Sequence, residues 1–167
     1  DSWYLNPERV VASLPQAGRV ARNLKVLLEI GKAISATRGL AVLERRLLEL
    51  VFEAIPAGYG AILLLGGEGD EFISTFSLTR AGCGPSLPVS RTVVTRVLRE
   101  SVALLSNDVR GAGELSAAES LARSDVRAVL AAPLVVFEKA LGVIYLASCD
   151  PAVRFDEDHL QLAAGIA

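Results

Sequence analysis

The chain has 167 residues, of which 51% are hydrophobic and 22% charged, and its formal net charge is −2. This length fits one domain, and the apolar share is enough for a core and too high for a disordered segment. The balance of basic and acidic residues excludes a basic face for direct contact with nucleic acid or with a membrane surface. The longest apolar run, 128–137, is shorter than the ~18 residues of a transmembrane helix, and Pro133 interrupts it.

The two ends of the chain indicate a piece of a longer protein. It begins with Asp1 and contains no Met. Turn signals at Asn6-Pro7 and Leu14-Pro15 predict a linker over 1–22, with a possible short helix at 7–13, and the domain proper occupies 23–167. The apolar pattern at the C-terminal end stops without a terminating residue, so we expect the last helix to continue into another domain.

Two helices are predicted first, over 23–38 and 40–55, because apolar residues recur there at steps of three and four. The second is apolar on more than one side, so it must contact something besides its own core. We interpret this as contact with a second copy of the chain. The predicted homodimer interface combines this helix with the last one and comprises Leu40, Leu43, Leu47, Leu162 and Ile166.

The periodicity then changes to that of strands. The continuous apolar run 61–65 predicts a strand buried on both faces, and the alternating segment 72–78 predicts its partner across a glycine-rich turn. Ser90 is a suitable cap for a helix over 91–100. A short strand over 102–105 and a short helix over 117–123 follow, the helix being indicated by a capping box.

The final third of the chain contains the clearest pair of predicted strands. Two β-branched runs, 127–136 and 140–148, are separated by three residues and predict an antiparallel hairpin with an irregularity at Pro133. A last helix opens at Asp156, where acidic residues suit the helix dipole. Hairpins at both ends of the order predict an α+β domain with helices packed on an antiparallel sheet.

Three segments in this order resemble the GAF domain. The first segment runs from 27–34 through the second helix to 61–65. The second is 88–108. The third is 126–158 and includes the predicted strand Leu141-Gly-Val-Ile-Tyr-Leu146. The resemblance covers about 24–167. It implies a profilin-like antiparallel sheet of about five or six strands, helices on both sides, and N- and C-terminal helices packed together. Residues 4–22 are similar to linkers in bacterial regulators, in some of which an FHA domain precedes the GAF domain and a sigma-54-activating ATPase or a nucleotide cyclase follows it.

The resemblance also implies a site for a small molecule between the sheet and the helices that follow the second strand. The matching stretch here is roughly 76–123, facing the hairpin. Phe76, Asp108, Arg127 and Tyr145 would supply a stacking face, a carboxylate, a guanidinium and a hydroxyl, which suit a small polar or aromatic ligand. The alternative is that Phe76 and Tyr145 belong to the core and that Asp108 caps a turn.

Catalytic motifs are missing from the sequence. The only histidine, His159, lies among acids at the start of the last helix, and no residues have the spacing of a catalytic triad, a zinc site or a phosphate loop. Cys83 and Cys149 could pair, but two cysteines in a reducing cytosol favour two free thiols, which is the prediction. Signatures of the bilin-binding, cyclic-nucleotide-binding and sulfoxide-reducing members of the family are not matched. We therefore expect no catalytic residue, no metal, no cofactor and no enzymatic activity.

These features together predict a cytoplasmic sensory domain in a bacterial transcription regulator of the sigma-54-dependent activator type. It would bind an unknown small molecule, form a homodimer and pass a signal through its terminal helices to an ATP-binding effector domain in the same polypeptide. Two alternatives remain open. One is a dimerisation module without a ligand, and the other is the GAF domain of a nucleotide cyclase or a histidine kinase.

Overall fold

The computed structural model describes residues 14–36, 39–66, 72–80, 83–84, 87, 89–109, 125–136 and 139–167. Within these residues there are four helices and five strands. The helices are α1 (Leu14–Ala36), α2 (Leu40–Ala54), α3 (Arg91–Glu100) and α4 (Glu157–Ile166). The strands are β1 (Tyr59–Leu65), β2 (Phe72–Thr79), β3 (Leu104–Ser106), β4 (Ala128–Val136) and β5 (Lys139–Ser148).

The described strands form one antiparallel sheet in the order β2-β1-β5-β4-β3. Helix α3 covers one face, while α2 and α4 cover the other. Helix α1 packs outside these two, where Val26 and Ile30 meet Leu50 and Ile166. The predicted α+β class, with helices on both sides and the first and last helices in contact, is confirmed.

The two central strands explain why the sheet has a core on each face. Ala61 and Leu63 of β1 point toward α3, whereas Ile62 between them points toward α2 and α4. Successive side chains of a strand alternate between faces, so a strand covered on both sides has no polar positions. The continuous apolar run of β1 was therefore a sufficient signal for its central place in the sheet.

The start of the first helix and the bounds of β3 differ from the predictions. Helix α1 begins at Leu14 and not near residue 23. Proline is tolerated in the first turn of a helix, so Pro15 is compatible with a helix start that the sequence pattern indicated as a turn. Strand β3 covers Leu104–Ser106, slightly later than predicted. The short helices predicted over 7–13 and 117–123 lie outside the described residues.

The β4–β5 hairpin accommodates Pro133 where β4 lies at the edge of the described sheet. Pairing between β4 and β3 ends at Ala131, so at Pro133 strand β4 has only β5 as a described neighbour. Proline, which lacks an amide hydrogen, is tolerated at such edge positions. The register of the hairpin shifts between Leu134 and Val135, directly after the proline. The predicted irregularity at Pro133 is thus confirmed.

No helix in the described part of the chain has both the length and the apolar character needed to cross a bilayer.

Candidate functional site

One face of the sheet, which we call the α3 face, lies beneath helix α3. Ser90 caps this helix: its buried Oγ accepts a hydrogen bond from the Val93 amide at 3.4 Å. The cap aligns the helix so that Val93, Val94 and Val97 all point at the sheet and are buried. A helix with a narrow valine ridge and a polar outer side forms a rigid wall for this face.

Tyr145 of β5 places a hydroxyl inside the apolar α3 face. The residue is 1% exposed. Its Oη lies close enough to the Ser90 backbone for that backbone to lower the pKa of Tyr145, but the two groups do not meet the geometry of a hydrogen bond, and no other group in the described part of the chain does. Burial raises the pKa of Tyr145 by more than the Ser90 backbone lowers it, and the neighbouring Tyr59 adds to the rise. A buried hydroxyl without a partner typically costs about 1–3 kcal/mol, so this atom marks a place where a water molecule or ligand would be stabilised.

Tyr59 lies on the same face at the start of β1. It is buried, and this burial raises the pKa of Tyr59, an effect partly offset by a hydrogen bond with the Ser77 side chain. Tyr59 and Tyr145 thus place two hydroxyls on a face that is otherwise lined mainly by apolar side chains.

The structure does not bring Phe76 and Tyr145 together. Tyr145 pairs with Ala61, whose partner on its other side is Ser77, so these three share the α3 face. Phe76 pairs with Ile62 and lies on the opposite face. A one-residue offset reverses the face of a side chain, and the two aromatic rings cannot contact the same ligand. Phe76 instead lies beneath the Arg45 guanidinium, whose carbon is 5.6 Å from the ring centre.

Asp108 and Arg127 are both exposed, and they lie where β3 and β4 approach each other. The amide of Val109 donates to the Arg127 carbonyl at 3.4 Å, which brings the two backbone segments together. The residues predicted as ligand contacts therefore occupy three locations and do not form a single pocket. A ligand-binding role for each one separately stays a prediction.

The apolar residues predicted to form a dimer interface have different environments. Leu40 is 50% exposed, but Leu162 is 3% exposed and belongs to the core beneath α4. Leu47 and Ile166 also pack against the chain's own core, and Leu43 is half-buried. Leu162 is therefore unavailable as an exposed interface side chain, because its apolar surface is already covered within the chain.

Helix α1 carries an exposed apolar surface that is not part of the predicted dimer interface. Its exposed side chains Val20, Leu24 and Leu28 are spaced by four residues and so lie along one side of the helix. A groove between α1 and α4 continues this surface and is also lined by Leu27, Asp158 and Gln161. The helical periodicity was visible in the sequence, but which side of the helix faced the core was not.

Asn107 connects β3 to the start of α4. Its side-chain Nδ2 donates to the Phe155 carbonyl at 2.7 Å, and its Oδ1 accepts from the Phe155 amide at 2.8 Å. Phe155 directly precedes Asp156, which caps α4 and forms a capping box with His159. His159 is thus a capping residue of α4. The Asn107 link spans 48 residues, so no local sequence signal indicated it.

Cys83 and Cys149 are joined by a disulfide bond, with Cα atoms 5.5 Å apart. The prediction of two free thiols is wrong. The sheet order places β2 and β5 on either side of β1, and the two cysteines follow those strands at the same end of the sheet. Both side chains are half-buried against the α3 face.

The fold and these sites define an α+β domain with an enclosed polar group on one face and packed terminal helices on the other. A model of the GAF domain family matches residues 40–167. The chain belongs to the GAF domain family, a family of sensory and regulatory domains. Among curated proteins, none matches the chain.

Solved structures share this fold at low sequence identity. The free methionine-R-sulfoxide reductase from Neisseria meningitidis, in complex with its substrate, is 18% identical with a TM-score of 0.66, covering 86% of this chain and 83% of that one. The GAF domain of a phosphoenolpyruvate-protein phosphotransferase from Coxiella burnetii is 16% identical, with a TM-score of 0.63 and coverages of 86% and 87%. The nlh2 GAF domain from A. Aeolicus in an inactive state is 14% identical, with a TM-score of 0.58 and coverages of 87% and 91%.

These structures correct one prediction. The expectation that the chain is not an enzyme is contradicted, because the same fold forms methionine-R-sulfoxide reductases from Neisseria meningitidis and, as a fRMsr, from Staphylococcus aureus. The lack of a triad, zinc or phosphate-loop motif was not a sufficient reason for that expectation.

Proposed function

We propose that this chain is the small-molecule-sensing domain of a multidomain bacterial transcription regulator of the sigma-54-dependent activator type, acting in the cytoplasm. The signal would pass through α1 and α4 to an ATP-binding effector domain in the same polypeptide. Membership of a sensory family supports the general role. The sigma-54 context is supported by the resemblance of residues 4–22 to linkers of such regulators.

The observation that carries the sensing role is the enclosed hydroxyl of Tyr145. A small polar or aromatic ligand that bonded this Oη beneath α3 would relieve an unsatisfied polar group and bury apolar surface. A ligand changes an equilibrium only by the difference in its affinity for two states. An α3 face that opens to admit the ligand and closes over it supplies two such states.

Contacts between neighbouring elements connect the α3 face to the terminal helices. Strand β5, which carries Tyr145, leads to α4, and Asn107 holds the start of α4 against the end of β3. Ile166 at the end of α4 packs on Val26 and Ile30 of α1. A small shift of β5 would therefore move both terminal helices together.

Thermal stability in the presence of small polar and aromatic metabolites tests the sensing role. A true ligand at a hundred times its dissociation constant should stabilise the chain by about 2.7 kcal/mol. Tyr145→Phe should remove that gain, whereas Phe76→Leu on the opposite face of the sheet should retain it. If the ligand stabilises Tyr145→Phe as much as the unmodified chain, the site lies elsewhere.

The α1 surface favours a homodimer, either as part of the sensor or as the alternative role of a ligand-free dimerisation module. Val20, Leu24 and Leu28 form an exposed apolar row that an identical helix from a second copy would cover. Leu24→Glu combined with Leu28→Glu should give monomers in sedimentation analysis. Val102→Glu, at a position that is also about half exposed, is the matched control and should leave the dimer intact. A dimer that persists in the double variant would reject this interface.

The full reading frame that contains this chain would identify the effector domain. An ATPase domain after Ala167 would support the activator proposal. A nucleotide cyclase or a histidine kinase in that place would support the respective alternative.

A further inference from the structure

The disulfide lies at a junction of three strands. Gly58, just before β1, donates its amide hydrogen to the Ala147 carbonyl at 2.9 Å and accepts a hydrogen bond from the Arg80 amide at 2.7 Å. Cys83 follows Arg80 closely in the chain, and Cys149 follows Ala147 in the same way. The bond therefore passes over the start of β1 and links the segments that follow its two neighbouring strands.

We propose that Cys83 and Cys149 form a thiol–disulfide exchange site, which small thiols of the glutathione class reduce and their disulfides re-form, and that its redox state is transmitted to α4. This proposal goes beyond the sensing of a ligand at Tyr145 and does not depend on it. Both cysteines are half-buried at the margin of the α3 face and not enclosed in its core, and thiol–disulfide exchange requires such access for an attacking thiolate.

The fold at this junction has other connections that would hold the reduced protein together. The two backbone hydrogen bonds of Gly58 join β1 to both neighbours independently of the sulfur atoms. The Arg80 side chain donates from Nη1 to the Phe52 carbonyl at 2.8 Å and stacks 5.0 Å above the Phe52 ring. A disulfide that adds to existing contacts can open without loss of the fold.

The exchange proceeds through two balanced steps. A thiolate RS⁻ attacks one of the two sulfur atoms, the S–S bond breaks, and the other cysteine leaves as a thiolate that takes up a proton. A second RS⁻ attacks the outer sulfur of the mixed disulfide, which releases RSSR and the second cysteine thiolate, which is then protonated. Two equivalents of thiol are oxidised, and one protein disulfide becomes two thiols.

The position of Cys149 explains how this change would reach α4. The Ser148 carbonyl accepts from the Arg127 amide at 2.8 Å, and the Ser148 Oγ accepts from the Asp150 amide at 3.2 Å. Cys149 lies between these anchored residues, at the beginning of the connection to α4. Opening the disulfide would release this connection on one side only, namely from the segment that contains Cys83.

The chain equilibrated in buffers of reduced and oxidised glutathione tests the exchange. Free thiols are trapped with a maleimide and counted by intact mass. We expect both thiols to appear together as reduced glutathione increases, with an unchanged circular dichroism spectrum and faster hydrogen exchange in α4. A disulfide that opens only in denaturant, or a chain that unfolds on reduction, would overturn the proposal. Identical exchange of α4 in both forms would overturn the link to that helix.

Two glycine variants test whether this geometry controls the equilibrium. A Cβ at Gly58 would lie 2.9 Å from the Cys83 Sγ, so Gly58→Ala should shift the equilibrium toward the dithiol by about tenfold or more. Gly84→Ala is the matched control, because a Cβ there meets no atom within 4 Å among the described residues other than its chain neighbours, and its equilibrium should be unchanged. Equal equilibria in the two variants would contradict the geometric argument. The double variant Cys83→Ser and Cys149→Ser should fold, which separates an effect on exchange from a folding defect.

Discussion

Asn107 and Phe155 are joined by a pair of hydrogen bonds in which the Asn107 side-chain amide donates to the Phe155 carbonyl and accepts from the Phe155 N–H. The pair closes a loop of 48 residues and holds the entry to α4 against the end of β3. It therefore connects the sheet to the helix that we propose as the output of the domain.

Replacing Asn107 should weaken this connection. Asn107→Ala leaves both the amide and the carbonyl of Phe155 without their partner, and we expect a loss of about 1–3 kcal/mol in the free energy of unfolding. Hydrogen exchange should increase first in α4. Chemical denaturation and exchange mass spectrometry measure the two effects. Thr95→Ala, at an exposed position of α3, should change stability by less than about 0.5 kcal/mol. An Asn107 variant as stable as this control would show that the pair contributes little.

Tyr145→Phe should be neutral or stabilising near neutral pH. It removes a buried hydroxyl that has no partner in the described part of the chain while preserving the ring. The expected gain is up to about 1 kcal/mol in the absence of ligand. Urea denaturation provides the measurement. A loss above about 1 kcal/mol would indicate that the hydroxyl is already satisfied in the free protein.

The pH dependence of stability should change at alkaline pH in the same variant. Burial raises the pKa of Tyr145 above its value of about 10 in an unfolded chain. The folded state then holds its proton more tightly, so this contribution to stability is complete below about pH 10 and is lost as pH rises toward the folded pKa. Denaturation measured between about pH 8 and about pH 11 should show that the free energy of unfolding declines less steeply with pH for Tyr145→Phe than for the unmodified chain. The variant still contains Tyr59, whose pKa is also raised, so part of the decline in stability with pH should persist. Equal slopes of stability against pH in the variant and the unmodified chain would show that Tyr145 does not cause this effect.

Gly142→Ala should be among the most disruptive single substitutions in the sheet. A Cβ on Gly142 would collide with the Leu63 carbonyl oxygen of β1, and a backbone atom cannot move aside as a flexible side chain can. We expect a loss of more than about 2 kcal/mol. Gly31→Ala is the contrasting control: it lies within α1 with open space around it and should stabilise the chain by up to about 1 kcal/mol. Thermal denaturation of both variants distinguishes a clash from a general effect of adding a methyl group.

Loss of the disulfide should lower stability without preventing folding. The bond joins residues separated by 66 positions. Closing a loop of that length restricts the unfolded chain by about 4 kcal/mol in the entropic model, which sets the upper bound of the loss. Melting curves with and without dithiothreitol should differ for the unmodified chain and coincide for Cys83→Ser. Coincident curves for the unmodified chain would mean that the bond does not form in solution.

Local chemistry in the sequence was enough to determine most elements. The unbroken apolar run of β1 indicated burial on both faces, Ser90 indicated a helix start, and the two β-branched runs indicated the β4–β5 hairpin. These signals depend on periodicity and capping, which act over a few residues. The pattern also indicated that the domain is α+β, because hairpins at both ends of the chain imply an antiparallel sheet.

Tertiary structure decided which residues meet. Strand register placed Phe76 and Tyr145 on opposite faces, since a shift of one position reverses every side chain. Sheet order brought Cys83 and Cys149 together across β1, and helix packing buried Leu162 while leaving Leu24 exposed. Each of these outcomes depends on contacts between segments far apart in the chain. Local propensity acts within a few residues, so it could indicate the elements but not their pairing or orientation.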